Sequence, residues 1–138
     1  MDKILVDTDV ILDCLFDREP YSEKSTMIIN LCETGKVCGF VTPVILSNCY
    51  YLLRRKSSHK KVTEILLRLL QILDVLIMDK NITLNALNSD FHDFEDALQY
   101  YSAKEQGKIN HIITRNVKDF KKSDLAVFTP EGYLDMKL

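Results

Sequence analysis

Five short apolar runs, each bounded by polar or turn residues and separated by stretches with helical spacing, most constrain what this chain can fold into. They are Lys3–Val6, Val37–Val41, Asp74–Met78, His111–Thr114 and Leu125–Phe128. Between them, Val10, Ile11, Cys14 and Leu15 share a helical face with Asp9 as expected N-cap, and Pro20 closes that segment. A second helix is expected over Ser22–Thr34, stopped by Gly35. Thr42-Pro43 reads as a cap and first turn of a third, which reaches about Arg55. Val62, Ile65, Leu66, Leu69, Leu70 and Leu73 form the clearest apolar stripe. Ile82–Asn88 is a weak helix, and Phe94–Glu105 a stronger one stopped by Gly107. Strands that alternate with helices predict a three-layer α/β/α fold around a parallel sheet of four or five strands.

With 138 residues, 46% of them hydrophobic, and no linker or internal repeat, a single domain over residues 1–138 is expected. The net charge of −2 exerts no global pull on nucleic acid, so any such binding must use a local basic patch. The four cysteines (Cys14, Cys32, Cys38 and Cys49) lack the paired spacing of a zinc site and read as free thiols. No apolar run reaches the roughly 18–20 residues of a membrane span. A cytoplasmic location without membrane contact is the expectation.

In a parallel sheet, ligands bind beyond the carboxyl ends of the strands, so chemistry is sought after Val6, Val41 and Thr114. Asp7 closes the first run. Asp90, Asp93, Glu95 and Asp96 crowd the start of the Phe94 helix, where acids also oppose the helix dipole. Ala97, Leu98 and Tyr101 mark that helix's inward face, which puts Asp96 near the buried side, where a carboxylate needs a cation or hydrogen-bond donors. Thr114-Arg115-Asn116 follows the fourth run and offers further oxygen atoms.

Asp7, then Asn48 on the third helix, Asp96-Ala97, Thr114-Arg115-Asn116 and Asp119-Phe120, in that order, resemble a PIN domain, the fold of VapC-type toxin ribonucleases. The resemblance spans nearly the whole chain. It implies endonucleolytic RNA cleavage with Mg²⁺ or Mn²⁺ on clustered acids, and Mg²⁺ favours such hard oxygen ligands. Asp7 matches the first family acid and Asp96 the third. The second and fourth, usually Glu and Asp, are Asn48 and Asn116 here. The catalytic candidates are therefore Asp7, Asn48, Asp96 and Asn116, with Asp7, Asp96 and Asp93 as metal ligands. Thr8, Ser47, Thr114, Glu95 and Asp119 are supporting candidates. Arg54, Arg55, Lys56, Arg115 and Lys118 are candidates for contact with the RNA backbone, while Lys121 and Lys122 extend a patch near the site. The resemblance further implies an antitoxin partner. A homodimer is expected because Tyr50–Leu53 and the Val62–Leu73 stripe offer more apolar surface than a small sheet covers.

Two other readings fit parts of the pattern. Asp7-Thr8-Asp9-Val10 after an apolar strand resembles the nucleophile motif of haloacid-dehalogenase-like phosphatases. Asn48 and Asn116 suit a degenerate nucleic-acid-binding module of the same fold without catalysis.

Overall fold

The computed structural model describes residues 1–106 and 109–137. The expected stop at Gly107 lies outside the described residues. The order is β1 (Lys3–Val6), α1 (Thr8–Leu15), α2 (Ser22–Glu33), β2 (Cys38–Val41), α3 (Pro43–Arg54), α4 (His59–Leu69), β3 (Asp74–Val75), α5 (Lys80–Leu87), α6 (Phe94–Glu105), β4 (His111–Ile113), a 3₁₀ turn (Val117–Phe120), β5 (Ala126–Phe128) and α7 (Pro130–Lys137).

All five strands pair in parallel in one sheet of order β3-β2-β1-β4-β5. β1 is central and flanked on both sides. Its Ile4, Leu5 and Val6 are therefore fully buried, each removing an aliphatic side chain from water for roughly 1.5–3 kcal/mol. Both faces of such a strand meet apolar neighbours, which explains a continuous apolar run instead of an alternating one. The chain leaves β1 toward β2 and later returns to β4 on the opposite side. The sheet thus reverses direction between β1 and β4, and a crevice opens there at the strand ends.

Local signals set most element ends. Gly35 has φ +76°, the left-handed conformation that glycine reaches without a Cβ penalty, and it terminates α2. Asp17, at φ 51°, does the same after α1. The Thr42 hydroxyl accepts from Ile45 N and caps α3 with Pro43 in the first turn. Gly39 is needed for a different reason. A Cβ there would lie 2.5 Å from both Cys32 Sγ and Leu73 Cδ2, so β2 passes too close to α2 and the end of α4 for any side chain.

Three features differ from the sequence reading. β3 is only two residues long, because beyond Val75 the chain leaves the sheet and Leu76 N bonds back to Val41 O. α7 had no sequence assignment, although Thr129-Pro130 repeats the Thr42-Pro43 signature and the Thr129 hydroxyl accepts from Gly132 N. Tyr133 of α7 is fully buried and donates to Asp2, tying the last helix to the start of the chain. Finally, Asp7, not Asp9, caps α1.

One large core holds the sheet and most helices, and a small cluster of Ile82, Ala86, Ala97 and Leu98 seals α5 onto α6. Among the described residues all four cysteines are free, and no helix is long and apolar enough to cross a membrane.

Candidate active site

Asp7 sits where β1 gives way to α1, at the switch between β1 and β4. Its backbone N–H still bonds Ile113 O (3.0 Å), so the residue is locked to the neighbouring strand. Its carboxylate, 9% exposed, accepts from three parts of the chain: Thr8 N at 2.8 Å, Thr114 Oγ1 at 2.9 Å and Gln99 Nε2 at 3.2 Å. Burial nevertheless outweighs these donors and pushes its pKa above the usual carboxylate range.

Asp9, one turn on, faces the loop after β4. Its Oδ2 accepts from Arg115 N (3.1 Å) and Asn116 Nδ2 (3.2 Å) and lies 3.4 Å from Thr114 Oγ1. Desolvation, then the Asp7 charge, raises its pKa to about 6. Sequence reasoning took Asp9 for a cap. The two acids exchange roles because α1 begins one residue earlier than its apolar stripe suggests.

Asp96 lies in the first turn of α6, its backbone N–H capped by Asp93 Oδ1 at 3.0 Å. Partial burial and the surrounding charges of Asp93, Asp7, Asp119 and Glu95 raise its pKa to about 7. One turn further, Gln99 is 3% exposed; its amide reaches Asp7, and its Oε1 has no partner. Gln99 was missed in the sequence, though its i, i+3 spacing from Asp96 places it on the same helix face.

Asp7, Thr8, Asp9, Asn48, Asp93, Glu95, Asp96, Gln99, Asn116 and Asp119 line one open cleft of about 350 Å³, with Arg18 and Leu52 at its rim. The two asparagines at positions expected to be acidic each hold a carboxylate in it. Asn48 Nδ2 donates to Glu95 Oε1 (2.6 Å), and Asn116 Nδ2 to Asp9 Oδ2. Thr114 is fully buried behind the cleft and links Asp7 to the β4 loop. Ser47 is exposed and lies outside the cleft lining.

The basic candidates separate. Arg115 is not available to RNA as expected. Its guanidinium makes two bonds (2.6 and 3.1 Å) to the fully buried Asp13 and stacks over Tyr21, 4.0 Å from the ring centroid. A buried carboxylate needs that partner, so its charge is spent inside the fold. Arg54 bonds Ser57 O, and Arg54, Arg55 and Lys56 all lie outside the cleft lining. Lys56 and Arg18 both stand over the Phe16 ring. Lys118 faces an adjoining groove with Lys121 and Lys122.

The donor chemistry suits a hard divalent cation. The cleft presents carboxylates raised by burial and crowding, together with buried oxygens that lack partners: Thr8 Oγ1, Asp9 Oδ1 and Gln99 Oε1. Among the described residues, no three His, Cys, Asp or Glu side chains form a closed metal-binding group. Mg²⁺ commonly uses only one or two carboxylates and keeps water in its other positions, so an open site fits it.

Comparison with known proteins agrees with this geometry. Ribonuclease VapC1 of Aquifex aeolicus (strain VF5) is 27% identical over 97% of this chain and 94% of its own length. The FitAcB structure from Neisseria gonorrhoeae shares the fold with a TM-score of 0.63 at 19% identity, covering 93% of this chain and 98% of that one. VapBC2 from Rickettsia felis, bound to a DNA fragment from their promoter, gives a TM-score of 0.62 at 12% identity, covering 91% and 96%. Mycobacterium tuberculosis VapC20, described as a sarcin-ricin loop cleaving toxin, gives 0.61 at 17% identity, covering 79% and 86%. The PIN domain model matches residues 3–118, from the first strand through Asp7, Asp96 and the Thr114–Asn116 loop to the 3₁₀ turn, and the chain accordingly belongs to the PIN domain family.

Proposed function

We propose that the chain is a Mg²⁺- or Mn²⁺-dependent endoribonuclease that hydrolyses RNA phosphodiester bonds, acting as the toxin of a cytoplasmic toxin–antitoxin pair. The observation that carries this reading is the Asp7 carboxylate. It is buried at the switch point, fixed by donors from three elements, and shares a cleft with Asp96 and three unpartnered oxygens. Family membership sets aside the phosphatase reading of Asp7-Thr8-Asp9-Val10.

Asp7 and Asp96 would hold the cation, with Asp93, Asp9 and Glu95 as supplementary acids. When bound, it supplies a water of lowered pKa as nucleophile and neutralises charge on the phosphate and leaving oxygen. Thr114 and Gln99 keep both Asp7 oxygens in one orientation, and Asn48 and Asn116 hold Glu95 and Asp9 at the cleft. The negative charges expected at positions 48 and 116 are thus supplied from neighbouring positions. A homodimer and an antitoxin that covers the cleft complete the reading, supported by the paired proteins named in the VapBC2 and FitAB structures.

The test is cleavage of structured and single-stranded RNA by the purified chain with Mg²⁺ or Mn²⁺ and with a chelator. Metal-dependent cleavage is expected, reduced to background in Asp7→Asn and in Asp96→Asn. Activity that survives in the double variant, free of contaminating nuclease, refutes the mechanism. Asn48 and Asn116, with the open ligand set, favour a second reading as a binding module without catalysis. That reading requires RNA binding without cleavage and no Asp7-dependent Mn²⁺ site.

A further inference from the structure

Beside the acidic cleft runs a second groove of about 230 Å³, lined by Phe91, His92, Asp93, Asp96, Lys118, Asp119, Lys121 and Lys122. Asp93, Asp96 and Asp119 line both cavities, so the groove opens directly onto the acids. We propose that this groove is a subsite for one nucleotide of a single strand, with Lys118, Lys121 and Lys122 on the phosphate next to the one in the acidic cleft. The proposal rests on the reading of that cleft as a nuclease centre.

The charges require such a feature. A strand entering the cleft meets Asp7, Asp9, Asp93, Glu95, Asp96 and Asp119 on a protein of net charge −2, so even a bound divalent cation leaves an acidic surface. Local cations must offset it. Most cations near the site are already used: Arg115 and Arg18 pair with Asp13, and Lys104 with Asp124. Among the described residues, Lys118, Lys121 and Lys122 make no ion pair, although three carboxylates line the same groove. Lysines serving only to neutralise those acids would close onto them. These three are exposed and are carried on the 3₁₀ turn and the residues just after it, anchored by the buried Phe120. Phe91, which stacks on Tyr100 with centroids 5.2 Å apart, gives the groove an apolar wall for a ribose or base, and exposed His92 lies beside it. A wall without base-specific donors accepts any base, as single-strand binding surfaces do.

The experiment measures binding of a fluorescent single-stranded hexaribonucleotide to the full chain in EDTA across a salt series. The comparison is a Lys118→Gln, Lys121→Gln, Lys122→Gln variant, with Lys36→Gln, Arg68→Gln, Lys80→Gln as an equal charge change elsewhere. The groove variant should bind at least tenfold more weakly, with the salt slope lowered by about 2, at about 0.7 per lost phosphate contact. The control variant should bind like the native chain, and inorganic phosphate at the same concentration should not displace the strand. Unchanged binding in the groove variant, equal loss in the control, or displacement by free phosphate alone overturns the proposal. A cleavage assay separates the two readings. Lysine-dependent binding without any cleavage sinks the nuclease and keeps the subsite. Cleavage with an unaltered KM in the groove variant does the reverse.

Discussion

Asp96 carries the most informative charge in the molecule. Its pKa of about 7 lies above the ordinary carboxylate value of 3.8 through burial and through Asp93, Asp7, Asp119 and Glu95. Between those two values the folded chain keeps a proton that the unfolded chain has lost. Stability of the metal-free protein therefore falls as pH rises from about 4 to 7, with Asp9 adding to the same trend up to about 6. Asp96→Asn should flatten this slope and raise the melting temperature at pH 7.5 in EDTA. A slope equal to that of the native chain would disprove the assignment. Gln99 works on the same acids indirectly. It touches Asp7 and would not itself react, so it is a positioning residue. Gln99→Leu should weaken Mn²⁺ binding roughly tenfold or more, in the range of outer-sphere hydrogen bonds to metal ligands, while the fold persists. Calorimetric titration with Mn²⁺ checks this, and an unchanged affinity would remove Gln99 from the site.

Elements bring these residues together through their ends. The end of β1 supplies Asp7, the start of α6 supplies Asp96 and Gln99, and the loop after β4 supplies Thr114 and Asn116. What holds that loop is largely the Arg115–Asp13 pair, which anchors it to α1 beneath the acids. Arg115→Ala should destabilise the protein by about 3 kcal/mol, because Asp13 then keeps a buried charge with only Arg18 at 3.7 Å. Urea unfolding measures the loss. A cost below about 1 kcal/mol would mean that Arg115 is surface decoration instead of a clamp.

For the molecule as a whole, the sheet order decides where function can sit. Only between β1 and β4 do crossovers leave in opposite directions, and the acids lie there. The exterior carries its own signal. Leu84 and Leu87 of α5 and Phe94 at the start of α6 remain exposed beside the small cluster that joins those helices. A homodimer that covers this apolar surface should sediment as such at tens of micromolar, and Leu87→Glu should shift it toward monomer. Equal sedimentation of the native chain and the variant would place any dimer contact elsewhere.

The amino-acid sequence by itself determined the alternation of strands and helices, the helix starts at Thr42-Pro43 and near Asp93, and the importance of Asp7, Asp96 and the Thr114–Asn116 loop. These are local matters of periodicity, capping and the position of acids at strand ends, and neighbours along the chain suffice to express them. The roles of Asp9, Gln99 and Arg115 were decided only by the tertiary structure. Gln99 reaches Asp7 across 92 positions, Arg115 reaches Asp13 across 102, and Asn116 holds Asp9 across 107. Each of the three side chains has an ordinary local use, as a cap, a helix-surface amide or a surface cation. Hydrogen-bond donors and charges choose partners by distance in space, and those distances exist only once β4 has paired with β1 and α6 has packed beside them.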